Sequence, residues 1–316
     1  MKAAVVTGPG KTPIYGDFEE PVAKASEELI HVTASALSQL TKGRASGSHY
    51  SSSGQFPLIA GVDGVGRTED GRRVYFVLPD PPFGAMAEMV AIRKQQCIPL
   101  PDGVDDVTAA AIANPGMSSW AALKERAQLV PGENVLINGA TGVSGGLAVQ
   151  IAKYMGAKKV IATGRNPEAL EELKKLGADA TISLTLAPDD LAAAFREQFV
   201  GDGVHVVLDY LWGKSAEALI VAAAKADASL RYVNIGSMSG GEITLAAAAL
   251  RATDLKLMGS GIGSVPMPGL LHAIGEVMQA VVPGKLHIAT ETVPLSSVEE
   301  NWQKDSGRSR VVFVVG

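Results

Sequence analysis

The chain has 316 residues, 47% hydrophobic and 19% charged, with a formal net charge of −5. That length points to two domains, and the apolar fraction supplies a core that excludes a disordered chain. An acidic balance without any lysine–arginine block argues against nucleic-acid or membrane-surface binding, and the single cysteine, Cys97, excludes an intramolecular disulfide and fits a reducing compartment.

Residues 1–7 read as a first strand, because they lack the apolar stretch and cleavage site of a signal peptide. No apolar run reaches the length of a membrane span, so a cytoplasmic location is expected. Residues 28–35 and 73–78 are further strand-like runs, the second preceded by a hairpin turn signal at 69–72. Up to about 115 the texture is that of a β-rich domain. From 116 to 262 it alternates: strand-like runs end at Gly139, Thr163, Ser183, Asp209 and Ile235, with helical runs such as 167–176 between them. Strands alternating with helices imply a doubly wound parallel sheet, so the fold class is α/β. One more helix, 268–281, and two strand-like runs at 287–293 and 310–315 follow, and this tail is expected to rejoin the first domain. The expected division is therefore 1–115 with 263–316, and 116–262.

The most informative stretch lies at 135–153. A short apolar run leads into Gly139, Gly142 and Gly145, spaced by three, and a helical run follows. Such a strand, turn and helix suits a dinucleotide. The glycines permit a sharp turn and close approach of a pyrophosphate, and the first helical N–H groups point at it with the helix dipole behind them. Thr141, Val143 and Ser144 belong to the same loop. Leu147, Ile151 and Tyr154 form the stripe expected to pack on the sheet. The next strand ends at Thr163, where NAD-binding proteins usually carry an acid for the ribose 2′-hydroxyl. Here the acid is absent and Arg165 stands nearby, which favours the 2′-phosphate of NADPH. Asn166 before Pro167 is at once a cofactor candidate and a helix N-cap. Asp209, Gly236 and Ser237, at later strand ends, complete the cofactor candidates; for Asp209 a role in orienting loop backbone competes with ligand contact.

These residues resemble the medium-chain dehydrogenase/reductase superfamily, in particular its zinc-free quinone oxidoreductase branch. The resemblance rests on the opening strand, on Phe56, Pro57, Gly61, Asp63 and Gly66, on the 109–123 helix, on 131–136, on Val149 to Lys153, and on Leu176 to Asp179. It implies a GroES-like β-rich catalytic domain plus a Rossmann domain, with the active site in a cleft between them. Zinc members carry cysteine near Ser38 and histidine at Val62, with a third ligand near Asn114 and Pro115; none of these is a good ligand here, and the four-cysteine lobe is impossible with one cysteine, so no metal is expected. Asp63 is read as structural. Many relatives carry Asn-x-x-Asp in the substrate segment, where this chain has Ser38 and Thr41, followed by a loop rich in serine and glycine. Without zinc the substrate carbonyl or enone must be polarised by hydrogen bonds or protonated by solvent. Ser38, Thr41 and Tyr50 are the catalytic candidates, Tyr50 first, because adjacent His49 and Tyr50 do not easily both face a ligand. The remaining histidines are read as structural. The expected activity is NADPH-dependent hydride transfer to a small quinone or α,β-unsaturated carbonyl by a homodimer. Alternatives are an alcohol or aldehyde oxidoreductase of the same superfamily, and a non-catalytic NADPH-binding redox sensor.

Overall fold

The computed structural model describes residues 1–226, 228–304, 307 and 309–316. They form two units, Met1–Asn114 with Ile274–Gly316, and Pro115–Ala273. The first unit opens with β1 (Lys2–Val6), β2 (Ile14–Asp17) and the ten-residue β3 (Glu27–Ala36). Helix α1 (Gln39–Ser46) and the short strand β4 (Leu58–Ile59) follow, then β5 (Asp63–Thr68), β6 (Arg73–Val77), β7 (Met89–Arg93) and β8 (Cys97–Pro99). Strand β3 shows the two-residue period of a half-buried strand: Ile30, Val32 and Ala34 are buried while His31 is exposed. Ile30 and Val32 pack with Val74, Phe76, Val90 and Ile92 in one core cluster. Helix α2 (Asp106–Ala121) carries the chain from the first unit into the second.

The second unit alternates strictly. Its strands are β9 (Asn134–Asn138), β10 (Lys159–Gly164), β11 (Ala180–Ser183), β12 (Val206–Asp209), β13 (Leu230–Asn234) and β14 (Leu255–Gly259). Between them lie α3 (Val143–Tyr154), α4 (Pro167–Lys175), α5 (Pro188–Glu197), α6 (Gly213–Lys225) and α7 (Ala247–Arg251). All pairings are parallel, in the order β11-β10-β9-β12-β13-β14. The chain winds outward from β9 to β11, then restarts at β12 on the other side of β9. That reversal opens a crevice at the carboxyl ends of β9 and β12. Val135, Leu136 and Ile137 are fully buried, as expected of a strand covered on both faces. Every strand end read from the sequence lies within one residue of the observed end. One expectation fails: Leu147 and Ile151 are buried, but Tyr154 is 45% exposed at the end of α3, its ring 6.0 Å from that of Trp120.

Helix α8 (Met267–Ala280) returns the chain to the first unit, and β15 (Ala289–Pro294), α9 (Val298–Asn301) and β16 (Ser309–Val314) follow. The unit boundary falls inside α8, between Ala273 and Ile274, rather than at 262/263. The texture change marks the end of the last parallel strand, whereas the continuous helix α8 belongs to both units. Strand β16 pairs antiparallel with β3, Val312 opposite Ala36, and joins a seven-stranded sheet running β15-β16-β3-β5-β6-β8, with β7 also on β3. Inside this sheet the Tyr75 hydroxyl donates to Asp63 Oδ2 at 2.5 Å. Asp63, Tyr75 and Arg310 are all buried, while Asp63 Oδ1 and Arg310 Nε and Nη2 make no hydrogen bond among the described residues. Burial pushes the Asp63 carboxyl up, against the pull of the Arg310 charge and of the Tyr75 hydroxyl. The architecture is α/β: a GroES-like β-rich unit and a Rossmann unit. No helix among the described residues is long and apolar enough to cross a membrane.

Candidate functional site

The loop between β9 and α3 is built by steric necessity. Gly139 has φ +88°, and a Cβ there would lie 2.6 Å from Leu211 Cγ; a Cβ at Gly145 would lie 2.4 Å from the Gly139 carbonyl oxygen. The first and third glycines therefore fold the loop tightly onto itself. The middle one, Gly142, is different. It is the N-cap of α3, with φ −83°, no side-chain cap and no atom within 4 Å of where a Cβ would stand. The start of the helix at Gly142 thus stands in open space, and a helix start left uncapped is the geometry that accepts a phosphate. Val143 and Ser144 form the first turn of α3, and Thr141 packs on Gly164 at the end of β10.

Beneath the loop runs a buried polar chain that sequence reasoning missed. The Gly139 amide donates to Thr163 Oγ1 at 3.1 Å, and the Thr163 hydroxyl donates to Asn138 Oδ1 at 2.9 Å. Asn138 Nδ2 donates to Asp209 Oδ1 at 2.8 Å and to Ser215 Oγ at 2.9 Å. Asp209 also accepts from the Leu211 amide at 2.9 Å, from the Trp212 amide at 3.1 Å and from the Tyr232 hydroxyl at 2.7 Å. Burial, reinforced by Asp209, holds the Tyr232 hydroxyl well above its ordinary pKa. Thr163 and Asp209, both among the cofactor candidates, are fully buried and held by these hydrogen bonds, and for Asp209 they are the bonds of a residue that orients loop backbone. Asp209 fixes the turn into α6, where Trp212 takes φ +59°, a conformation a bulky side chain adopts only when its surroundings enforce it.

At the end of β10, Arg165 is exposed and has no carboxylate partner among the described residues. Asn166 caps α4, its Oδ1 accepting from the Ala169 amide at 3.0 Å, so the capping half of its dual reading is realised. Gly236 and Ser237 follow β13, zipped to the Asp209 turn by the Gly236 amide on the Asp209 carbonyl at 3.1 Å; Ser237 is exposed.

The substrate segment lies in the first unit. Ser38 is the N-cap of α1: its Oγ accepts from the Thr41 amide at 2.9 Å and shares a hydrogen bond with Thr41 Oγ1, also 2.9 Å. Thr41 is 1% exposed. The two candidate catalytic hydroxyls thus cap a helix together instead of standing free. Tyr50 is 74% exposed, and its ring stacks on His49 with centroids 4.2 Å apart, so the two neighbours share one side of the loop after all. His49 Nδ1 accepts from the Ser51 amide at 3.2 Å. Burial, then the Arg44 charge, lowers the His49 pKa. His205 is structural, its Nδ1 accepting from the Asn134 amide at 3.1 Å. Among the described residues no group of three or more His, Cys, Asp or Glu is placed to hold a metal ion.

A parallel sheet with a glycine loop at its switch point, joined to a GroES-like unit, defines a dinucleotide-binding protein of the dehydrogenase type. Residues 144–281 match the family described as zinc-binding dehydrogenase. Over 99% of its length the chain is 29% identical to a probable NADPH-dependent quinone reductase of Emericella nidulans, all of which is covered. A quinone oxidoreductase of Thermus thermophilus, solved also with NADPH, superposes with a TM-score of 0.83 at 27% identity, covering 99% of this chain and 100% of that one. A probable oxidoreductase from Mycobacterium abscessus superposes at 0.80 with 26% identity, covering 99% and 98%. Over its whole length the chain is thus similar to quinone reductases and oxidoreductases, the likeness its sequence motifs carry.

Proposed function

We propose that the protein is an NADPH-dependent oxidoreductase that passes a hydride to a quinone or an α,β-unsaturated carbonyl without a metal. The observation that carries this reading is the pairing of an open, uncapped helix terminus at Gly142 with an exposed Arg165, without a carboxylate partner among the described residues, at the end of the next strand. The first suits a pyrophosphate and the second a 2′-phosphate. The quinone and NADPH named for the relatives from Emericella and Thermus support the same choice. When bound, the nicotinamide supplies the hydride. The chain's part is to hold the pyrophosphate on the α3 amides and to pair the 2′-phosphate with Arg165. Gly236 and Ser237 are assigned to the nicotinamide half, and Tyr50 to the substrate, where its exposed hydroxyl exchanges protons with water. Ser38, Val62, Asn114 and Pro115 stand where zinc members place ligands, and they offer no ligand set. Cys97 weighs against a thiol-based sensor, because burial pushes its thiol up to about 12 and keeps it protonated. A cytoplasmic homodimer acting on a small molecule completes the proposal.

Purified protein assayed for NADPH oxidation on a panel of quinones, enones and aldehydes, with and without chelator, tests the reaction. Turnover that survives chelation is expected; activity lost on chelation and restored by zinc overturns metal independence. Titration with both cofactors tests the phosphate pairing. NADPH is expected to bind at least about tenfold more tightly than NADH, ~1.4 kcal/mol, and Arg165→Ala is expected to erase the difference. Equal affinities in the wild type would remove Arg165 from the site.

A further inference from the structure

Arg44 lies in the last turn of α1 and is half-buried, yet it has no ion pair or side-chain hydrogen bond among the described residues. Three other arginines of the first unit are matched: Arg72 to Glu28 at 2.9 Å, Arg73 to Asp106 at 2.5 Å and Arg93 to Asp80 at 2.8 Å. Leu40 and Thr41, one helical turn before Arg44, supply no acid. The end of α1 offers it only the partial negative charge of a helix terminus. Arg44 lines a recess of about 30 Å³ whose wall includes Thr41, Ser53, Gly61, Val62 and Phe83. Among the described residues no carboxylate lines this recess. Asp80, between Pro79 and Pro81 of its wall, is committed to Arg93, and Asp63, next to Val62, accepts from the Tyr75 hydroxyl. An uncompensated guanidinium taken partly out of water is costly unless an anion completes it.

We propose that this recess is a subsite for a carboxylate carried by the substrate, with Arg44 as its counter-ion and specificity-determining residue. The planar guanidinium matches a carboxylate bidentately. Thr41, in the segment that the family resemblance assigns to the substrate, stands on the same wall. The assignment rests on the reductase reading and narrows it to acidic enones.

Two measurements keep the two claims apart. The first compares kcat/KM for 4-oxopent-2-enoate and its methyl ester in wild type, Arg44→Gln and Arg44→Lys, with thermal melts to check folding. Wild type is expected to prefer the acid about tenfold, mainly through KM. Arg44→Gln should bring the acid-to-ester ratio near one, and Arg44→Lys should keep an intermediate ratio, because it retains the charge without the fork. The second titrates 4-oxopentanoate, which lacks the reducible double bond, into all three proteins without NADPH. Binding that weakens about tenfold in Arg44→Gln supports the subsite even if no enone or quinone is turned over, in which case only the reductase reading falls. If the ester and quinones are reduced but wild type shows no preference for the acid, or Arg44→Gln binds 4-oxopentanoate as wild type does, the subsite falls and the reductase reading stands.

Discussion

Replacing Asp209 with asparagine would put an amide where two backbone N–H groups, an asparagine and a tyrosine now donate. One side-chain oxygen would become a donor facing donors. Because the site is fully buried, water offers no substitute. The expected loss is about 2–4 kcal/mol, read from denaturant unfolding, against about 1 kcal/mol for Tyr232→Phe, which removes a single bond. The same variant should weaken NADPH binding, since Asn138 and Thr163 link Asp209 to the Gly139 amide of the phosphate loop. An Asp209→Asn protein of unchanged stability would show that the buried chain is not the loop's support.

Helix α3 offers the opposite kind of experiment, in which function is lost without stability. Gly142 has ordinary backbone geometry and open space, so Gly142→Asp fits without strain. Aspartate is moreover a favoured N-cap, and its carboxylate would satisfy the amides that a pyrophosphate needs. Stability should hold or rise by up to about 1 kcal/mol while NADPH binding is abolished, as circular dichroism melts and cofactor titration would show. Near-wild-type binding by the folded variant would mean that 139–145 is not the phosphate loop. This loop was legible in the sequence because its requirements are local: glycine spacing, an apolar strand before it and a helical stripe after it. The chain of Asn138, Thr163, Asp209 and Tyr232 was not, because parallel register brings together residues as far as 71 positions apart, as in the bond from Asn138 to Asp209. Thr163 and Asp209 stood at strand ends, where position alone does not tell a ligand contact from its support. Ser38 and Thr41 read two ways for a related reason: two hydroxyls three residues apart make a helix cap as readily as a pair of polarising groups.

On the scale of the molecule, the carboxylates give a pH signature. Hydrogen bonds from Thr68 and then Arg72 hold Asp70 down to about 2, from an ordinary 3.8. Asp17 and Asp202 are lowered by hydrogen bonds from Lys2 and Lys158. A depressed carboxyl contributes stability above its unfolded pKa and loses it as pH falls through the folded one. Tm should therefore drop as pH is taken from about 4 to about 2, and less steeply in Asp70→Asn. Asp63 works in the other direction: burial raises it, so what it contributes is present at low pH and lost as pH rises through its folded pKa. A flat profile across that window would show that the surface carboxylates are not held low.

The position of the second unit also sets an order of events during synthesis. That unit is one continuous run, Pro115–Ala273, inserted between the two pieces of the first. Its last strand, β14, ends at Gly259, so every partner in its sheet has been translated while the ribosome still has the C-terminal piece to make. The seven-stranded sheet closes only when β16 arrives and sets Val312 against Ala36. Until then the Ala34–Ala36 end of β3 lacks its partner on that edge, although β3 is among the first strands translated. An open strand edge invites pairing with other chains. The nascent protein thus passes through a stage in which the inserted unit is complete and its host sheet is not, and that stage is where a chaperone would act.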